Sequence, residues 1–285
     1  MMRDITDLSL SEKNEIAQYI KRDHLEEVNR KVSVPEVKES FYTKYGKRFL
    51  DIVIALIVLI ITAPINLVIM IVTFFDVGMP ILFRQTRLGK NKAPFTIYKF
   101  RNMTNDTDEN GELLPPSKRV TKWGRFVRKT SLDELLNFVS ILNGSMSVIG
   151  PRPLRDYYAE RLNNRHLTMY RVKPGLECPP LKKIDHTLSW EERFEHYCWY
   201  AEHCSLAVDV KLCFRMIALV FDRKNTDARS KAGYGGFLGY DADGKIIYTK
   251  MCPDEYVEEF CKANGFPSLE TAIEAHQKSS QPKQH

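Results

Sequence analysis

Two adjacent carboxylates, Asp133 and Glu134, follow a basic stretch that contains Arg125, Arg128 and Lys129. A carboxylate beside cations can attack phosphorus or hold a divalent metal, while the cations neutralise phosphate oxygens. Ser131 and Glu134 have the spacing of a capping box, and Leu135, Phe138, Val139 and Leu142 give one apolar helical face. That spacing predicts a helix opening at Ser131 and ending near Asn143-Gly144. At the positive end of such a helix a carboxylate is expected to stay ionised at neutral pH, and free backbone N–H groups can bind phosphate. The same residues also fit a plainer reading, acids favoured in a first helical turn.

Close behind lies Ser147-Val148-Ile149-Gly150-Pro151-Arg152-Pro153, an apolar strand running into a turn with Arg152 between two prolines. Prolines fix φ, so this guanidinium sits on a stiff support, and arginine grips phosphate or carboxylate bidentately. Upstream, Ile81-Leu82-Phe83 and Phe95-Thr96-Ile97-Tyr98 flank a Gly-Lys-Asn-Lys-Ala-Pro turn, the pattern of a hairpin. Strand alternation carries Lys99 and Arg101 onto the face of Phe95 and Ile97. Cations on an apolar face need a partner: a phosphate serves, and so does a strand end that reaches solvent.

These residues need elements to position them. From Ile52 to Phe75 there is no formal charge, and Asp51 and Asp76 bracket the run. A helix of that length measures about 36 Å against a hydrocarbon core of about 30 Å. It begins too far into the chain, and is too long, to be a signal peptide. Pro64 removes a backbone hydrogen bond in mid-run, with Asn66 two residues on, so a kink or a break is expected there. Lys44, Lys47 and Arg48 precede the run, and Arg84, Arg87, Lys90 and Lys92 follow it, so the positive-inside rule favours both ends in the cytoplasm. A broken helix that enters and leaves by one face satisfies both features; a kinked single span remains the alternative.

The whole chain of 285 residues has 44% hydrophobic and 27% charged residues and a net charge of +6. This excludes disorder throughout, and a mean hydropathy of −0.33 excludes a polytopic membrane protein. The mild basic excess suits an anionic membrane surface or a phosphate-bearing substrate. Basic stretches lack the interleaved aromatics that stack bases, so no nucleic acid is expected. Six cysteines, with no CxxC pair, are expected to be reduced thiols. A zinc site can be drawn from His196, Cys198, His203 and Cys204, but paired knuckle spacing is absent, and incidental residues are the better reading. Four regions follow: a helical extension at 1–42, amphipathic from Ser9 to Val28; a membrane segment at 43–80; a catalytic body at 81–222; and a linker with a C-terminal extension at 223–285. Asp222 to Gly236 is polar and glycine-rich, and Asp241-Ala242-Asp243-Gly244 reads as a turn between short strands, with two short helices after it.

KRFLD (47–51) with its apolar run, KFRNM (99–103), TSLDELLNF (130–138) and NGSMSVIGPRPL (143–154) occur in one order. In this the chain resembles the bacterial sugar transferases, the monotopic polyprenyl-phosphate phosphoglycosyl transferases, over roughly residues 43–222. The resemblance implies an α/β (α+β) body seated on the cytoplasmic leaflet of the bacterial inner membrane by a re-entrant helix broken near Pro64. The reaction it implies moves a phospho-sugar from a nucleotide diphosphate sugar, usually a UDP-sugar, to undecaprenyl or another polyprenyl phosphate, with release of UMP. This is the opening step of surface glycan and exopolysaccharide synthesis. It also implies Asp133 as nucleophile, forming a phosphosugar-aspartyl intermediate, and Mg²⁺ held by Glu134 and Asp133. Lys99, Arg101, Arg128 and Arg152 are then phosphate- or substrate-binding residues. A homodimer and downstream glycosyltransferases are compatible partners.

The sequence departs from the family pattern at two places. Ala63-Pro64 replaces the common Ser-Pro, leaving Thr62 as the nearest hydroxyl. Leu176-Glu177-Cys178-Pro179-Pro180-Leu181, with Lys182, Lys183, Asp185 and His186 after it (the 176–186 segment), replaces the usual continuation after Pro174-Gly175. Resemblance resumes at Ser189-Trp190 and Asp209-Val210-Lys211. The altered segment leaves a second reading open, a non-catalytic membrane-associated relative acting as an assembly partner; an intact Asp133-Glu134 pair counts against it.

Overall fold

The computed structural model describes residues 1–107, 113–114, 116–181, 186–221 and 235–279. It is a mixture of helices with short paired strands. Helix α1 (Leu10–Lys31) opens where Ser9 accepts from the Glu12 N–H while the Glu12 carboxylate accepts from the Ser9 N–H, a reciprocal cap. Helix α2 (Lys47–Val77) contains the apolar run. Together with the turn before it, Tyr42–Val77 is long and apolar enough to cross a membrane. Ile57, Ile60, Ile61, Val68 and Phe75 each stand 52% or more exposed, a surface that none of the described residues covers.

The expected break is not seen: α2 runs without interruption through Pro64. The turn around the proline has its own polar links. Thr62 Oγ1 donates to the Val58 carbonyl at 2.7 Å, and Asn66 Nδ2 donates to Thr62 Oγ1 at 3.2 Å. Side-chain bonds of this kind support backbone groups next to a proline in an apolar helix.

Both ends of α2 are held by the same body. At the start, Lys47 pairs with Asp209 at 2.6 Å, and Arg48 donates to the carbonyls of Ile141 and Leu142 at 2.6 and 2.7 Å. Asp51 Oδ1 accepts from Ser147 Oγ and the Val148 N–H, both at 2.9 Å. At the far end, Thr121 Oγ1 donates to Asp76 at 2.6 Å, and the Trp123 indole donates to Thr73 at 3.2 Å. Every charge of KRFLD is therefore spent on docking the helix.

The hairpin forms as expected, with β2 (Leu82–Leu88) antiparallel to β3 (Pro94–Phe100). After it come α3 (Pro116–Arg119), α4 (Lys122–Lys129), α5 (Asn137–Leu142) and β4 (Ser147–Ile149). Short α6 (Asp156–Ala159) precedes β5 (Gly175–Glu177), which pairs in parallel with β4. Gly150 and Gly175 make this approach feasible, since a Cβ on Gly175 would lie 2.1 Å from the Gly150 nitrogen. Helices α7 (Trp190–His203) and α8 (Leu206–Phe221) close the body over Ile141, Met146, Ile149, Phe194, Tyr200 and Leu212.

The two termini build a second core together. Strands β6 (Phe237–Tyr240) and β7 (Ile246–Tyr248) form the expected hairpin around Asp241–Gly244. Strand β8 (Cys252–Pro253) pairs with β1 (Met2–Arg3), and α9 (Asp254–Ala263) and α10 (Leu269–Ser279) follow. Ile5, Ile16 and Ile20 from one end pack on Leu238, Tyr256 and Phe260 from the other. Contacts to the body run through Tyr240, which meets His166 Nδ1 at 2.7 Å, and through the buried Arg161, which bonds Asn14 and the Phe237 carbonyl. Most of the expected linker, 222–234, and Lys182, Lys183 and Asp185 lie outside the described residues.

Candidate active site

Asp133 does not stand in the first turn of an α-helix. Helix α4 stops at Lys129, where Thr130 Oγ1 turns back onto the carbonyls of Phe126 and Val127 at 2.9 and 3.1 Å. Ser131 then adopts a left-handed conformation (φ 56°) and makes no side-chain cap. Leu132–Glu134 form a 3-10 turn, and α5 begins only at Asn137. The capping box fails because Glu134 has stronger partners: Lys99 Nζ donates to its Oε1 at 2.6 Å, and Arg152 binds the same oxygen. Two full cations outbid one backbone N–H. The far boundary holds, with α5 ending at Leu142 and Gly144 taking φ 92°.

The turn buries Asp133, which is 6% exposed. Burial pushes its carboxyl above the ordinary aspartate range; Lys99 opposes this, and Glu134 adds to it. The expected helix-end stabilisation is absent because the helix starts elsewhere. Asn102 Nδ2 approaches Asp133 Oδ2 at 3.3 Å. That approach depends on Gly124 in α4, where a Cβ would lie 2.0 Å from the Asn102 carbonyl oxygen. For Glu134 burial also acts upward, but Arg152 and Lys99 more than offset it and hold the carboxyl below its usual range.

Arg152, between its two prolines, donates to the Leu176 carbonyl at 3.1 Å and lies 3.9 Å from Glu177. The altered segment therefore enters the site as β5, beside this arginine. Lys99, Glu134 and Arg152 are brought together on one cleft. Arg128 is exposed, on the last turn of α4, and acts on Asp133 through its charge at a distance. Arg101 is drawn away: it is 8% exposed, and its guanidinium donates to the Met79 carbonyl at 3.1 Å. It stands one residue past the end of β3 and faces the chain just after α2, not the cleft.

Two neighbours were not singled out by sequence. Asn102 lies inside KFRNM, so its signal was the motif itself. Asn137, 4% exposed, sits four residues after Asp133 and lines the same cleft. No group of three or more His, Cys, Asp or Glu side chains among the described residues gathers as a metal site, and all six cysteines are free thiols. Two carboxylates alone fit an ion such as Mg²⁺, which keeps waters and takes further oxygens from substrate phosphates. Of the two, Asp133 is the freer, since Glu134 Oε1 is already shared by two cations.

Comparison with known proteins places the chain in a family. Residues 42–223 fit the profile of the bacterial sugar transferases. The uncharacterized sugar transferase EpsL of Bacillus subtilis (strain 168) is 38% identical over 166 residues, 58% of this chain and 82% of its own length. The UDP-glucose:undecaprenyl-phosphate glucose-1-phosphate transferase of Escherichia coli (strain K12) is 32% identical over 225 residues, 72% of this chain and 47% of its own. The UDP-N-acetylgalactosamine-undecaprenyl-phosphate N-acetylgalactosaminephosphotransferase of Aeromonas hydrophila is 30% identical over 211 residues, 70% of this chain and 48% of its own. The chain thus spans about half the length of these last two relatives. The acidic turn, the proline-held arginine and the charged collar of α2 all fall within the matched stretch, and the chain belongs to the bacterial sugar transferase family.

Proposed function

We propose that this protein transfers a phospho-sugar from a UDP-sugar to undecaprenyl phosphate at the cytoplasmic face of a bacterial inner membrane, releasing UMP. The observation that carries the reading is a buried Asp133 next to a Glu134 already clamped by Lys99 and Arg152. A carboxylate kept from water loses the hydration that would blunt it as a nucleophile. Asp133 Oδ attacks the sugar-bearing phosphorus; the bond from that phosphorus to the bridging oxygen breaks, and UMP leaves with the electron pair. An oxygen of the lipid phosphate then attacks the same phosphorus and frees the Asp133 carboxylate. Lys99 and Arg152 offset charge on the phosphoryl oxygens during both displacements. A Mg²⁺ ion, held by Asp133 and Glu134, would neutralise further phosphate charge.

Placement at a membrane rests on α2. A helix crossing about 30 Å of hydrocarbon would carry one end away from a body on the other side. Here both ends bond to one body, through Asp51 and through Asp76. That supports a helix that enters and leaves by the same face. Trp123 and Thr121, which hold the far end, begin the helix that leads to Asp133, and this link supports access of a lipid-borne phosphate to the turn.

The test is UMP release by the nanodisc-held chain with undecaprenyl phosphate and a panel of UDP-sugars, beside Asp133→Asn. Release with one sugar, lost in the variant, is expected. No release with any sugar from folded protein in Mg²⁺ would favour the non-catalytic reading.

A further inference from the structure

The reading above leaves one cation in the cleft without a task. Strand pleating puts Arg87 of β2, opposite Phe95 in the register, on the same face as Ile97 and Lys99. Arg87 lines the cleft with Lys99, Glu134, Asn137 and Arg152. Its terminal nitrogens donate to the Pro153 carbonyl at 3.2 Å and to Gln85 Oε1 at 2.6 Å, both neutral groups. Its Nε is buried with no partner, and among the described residues no carboxylate lies within ion-pair distance. Burial, then the charges of Arg155 and Arg152, lower its pKa to about 10. A protein holds an unmatched guanidinium against like charges at a cost of stability, unless a ligand supplies the anion.

On the other side of the cleft the mismatch is reversed. Asn137 is the first residue of α5 and is nearly sealed, yet its Oδ1 has no hydrogen-bond donor. An unmatched buried acceptor calls for a hydroxyl or an N–H. One cleft therefore lacks an anion at Arg87 and a donor at Asn137. A phosphorylated sugar carries both, with its hydroxyls a few bonds from the phosphoryl oxygens.

We infer that this cleft is the phosphosugar subsite, in which Arg87 binds the phosphoryl oxygens together with Arg152 and Lys99, and Asn137 accepts from a sugar hydroxyl. The inference rests on the transferase reading for its substrate class and adds two binding residues to it. Arg87 belongs to a stretch that reads in the sequence as a charged membrane flank; only the hairpin register turns it toward Lys99.

The two residues make separable contributions, and this is what an experiment reads. Binding of inorganic phosphate, glucose 1-phosphate, galactose 1-phosphate and N-acetylgalactosamine 1-phosphate to the full chain in nanodiscs is measured calorimetrically, alongside UMP release. Arg87→Gln is expected to weaken inorganic phosphate and every sugar phosphate bound by the wild type by about tenfold or more, as loss of a charge-assisted contact does. Arg87→Lys is expected to restore part of that loss. Asn137→Ala is expected to weaken the sugar phosphates and leave inorganic phosphate unchanged. Unchanged binding in Arg87→Gln, or equal loss of phosphate and sugar phosphate in Asn137→Ala, overturns the assignment. Should Arg87→Gln fail to fold, by loss of its thermal transition, the contrast in Asn137→Ala decides alone. Wild type that releases UMP but binds none of the probes keeps the transferase reading and sinks the subsite. Wild type that binds with the expected variant pattern but releases no UMP keeps the subsite and sinks the transferase reading.

Discussion

The body that matches the family and the second core built from the two termini treat charge in opposite ways. In the terminal core, ions stay at the surface and in pairs: Arg22 meets Glu259 at 2.6 Å and Arg3 meets Asp254 at 2.7 Å, around an interior of Ile16, Ile20 and Phe260. In the body, Asp133 is buried with its pKa raised, Glu134 is shared by two cations, and Arg87 has no acid within ion-pair distance among the described residues. Pairing exposed ions contributes little and costs little. Burying them unmatched lowers stability, and in the cleft it keeps charge available for a ligand or a reaction. The difference separates the part of the chain that performs chemistry from the part that supports it.

The sharpest way to break this contrast is at the nucleophile. Asp133→Asn is expected to lower turnover by at least about 10⁴-fold, as loss of a covalent nucleophile does. The same variant removes a buried carboxylate whose folded pKa is raised, a group that costs stability at neutral pH and costs less as pH falls. Its Tm should therefore rise at pH 7, and the gain should shrink on acidification. A calorimetric scan at two pH values checks this; a drop in Tm at pH 7 would mean that Asp133 is a structural residue.

Next in size is Arg152→Ala, expected to cost about a hundred- to a thousandfold in kcat, the usual loss for one preorganised charge at a phosphoryl centre. Steady-state kinetics reads it, and a change confined to KM would place Arg152 in ground-state binding instead. On the other side of the comparison, Phe260→Ala empties a fully buried site in the terminal core and should destabilise the chain by about 3–5 kcal/mol. Turnover per folded molecule should be unchanged. Activity lost in step with nothing but the folded fraction would sharpen the division; a fall in kcat of the folded protein would dissolve it.

Smaller effects follow from titration and from exposed pairs. Asp133 must be ionised to attack, so activity falls as pH drops through its raised pKa. The acid limb of kcat/KM should lie above the ordinary aspartate range, near 3.9. Lys99→Met removes a cation that favours the ionised form, and the limb should move to still higher pH; a limb that stays put would detach Lys99 from Asp133. Arg22→Ala breaks an exposed pair of the terminal core, and no measurable change in Tm is expected.

Much of this was legible in residue order. The amphipathic helix that opens at Ser9, the hairpin around Gly89, the apolar helix with charged collars, the proline-held Arg152 and the C-terminal hairpin at Asp241–Gly244 all depend on neighbours within a few positions. Local spacing encodes them directly, through caps, periods of 2 and 3.6, and fixed φ. Four ordered motifs also carried the family.

Where distant segments compete, spacing alone misleads. Ser131 and Glu134 are spaced for a cap, but Lys99, on a strand 35 positions away, and Arg152, in a turn 18 positions away, take the carboxylate, so the helix starts later and Asp133 is buried without a helix end behind it. Alternation assigns Arg101 to the face of Lys99, but β3 ends at Phe100 and the Met79 carbonyl claims the guanidinium. Arg87 reads as a flanking charge until the register turns it into the cleft. The union of residues 1–31 with 237–279 in one core has no local signature at all. Sequence by itself determined which side chains have the chemistry and which short elements they form; the tertiary structure decided which charges meet. The reason is that an ion pair depends on distance in space, and in a buried site the nearest full charge displaces whatever partner the local backbone offers.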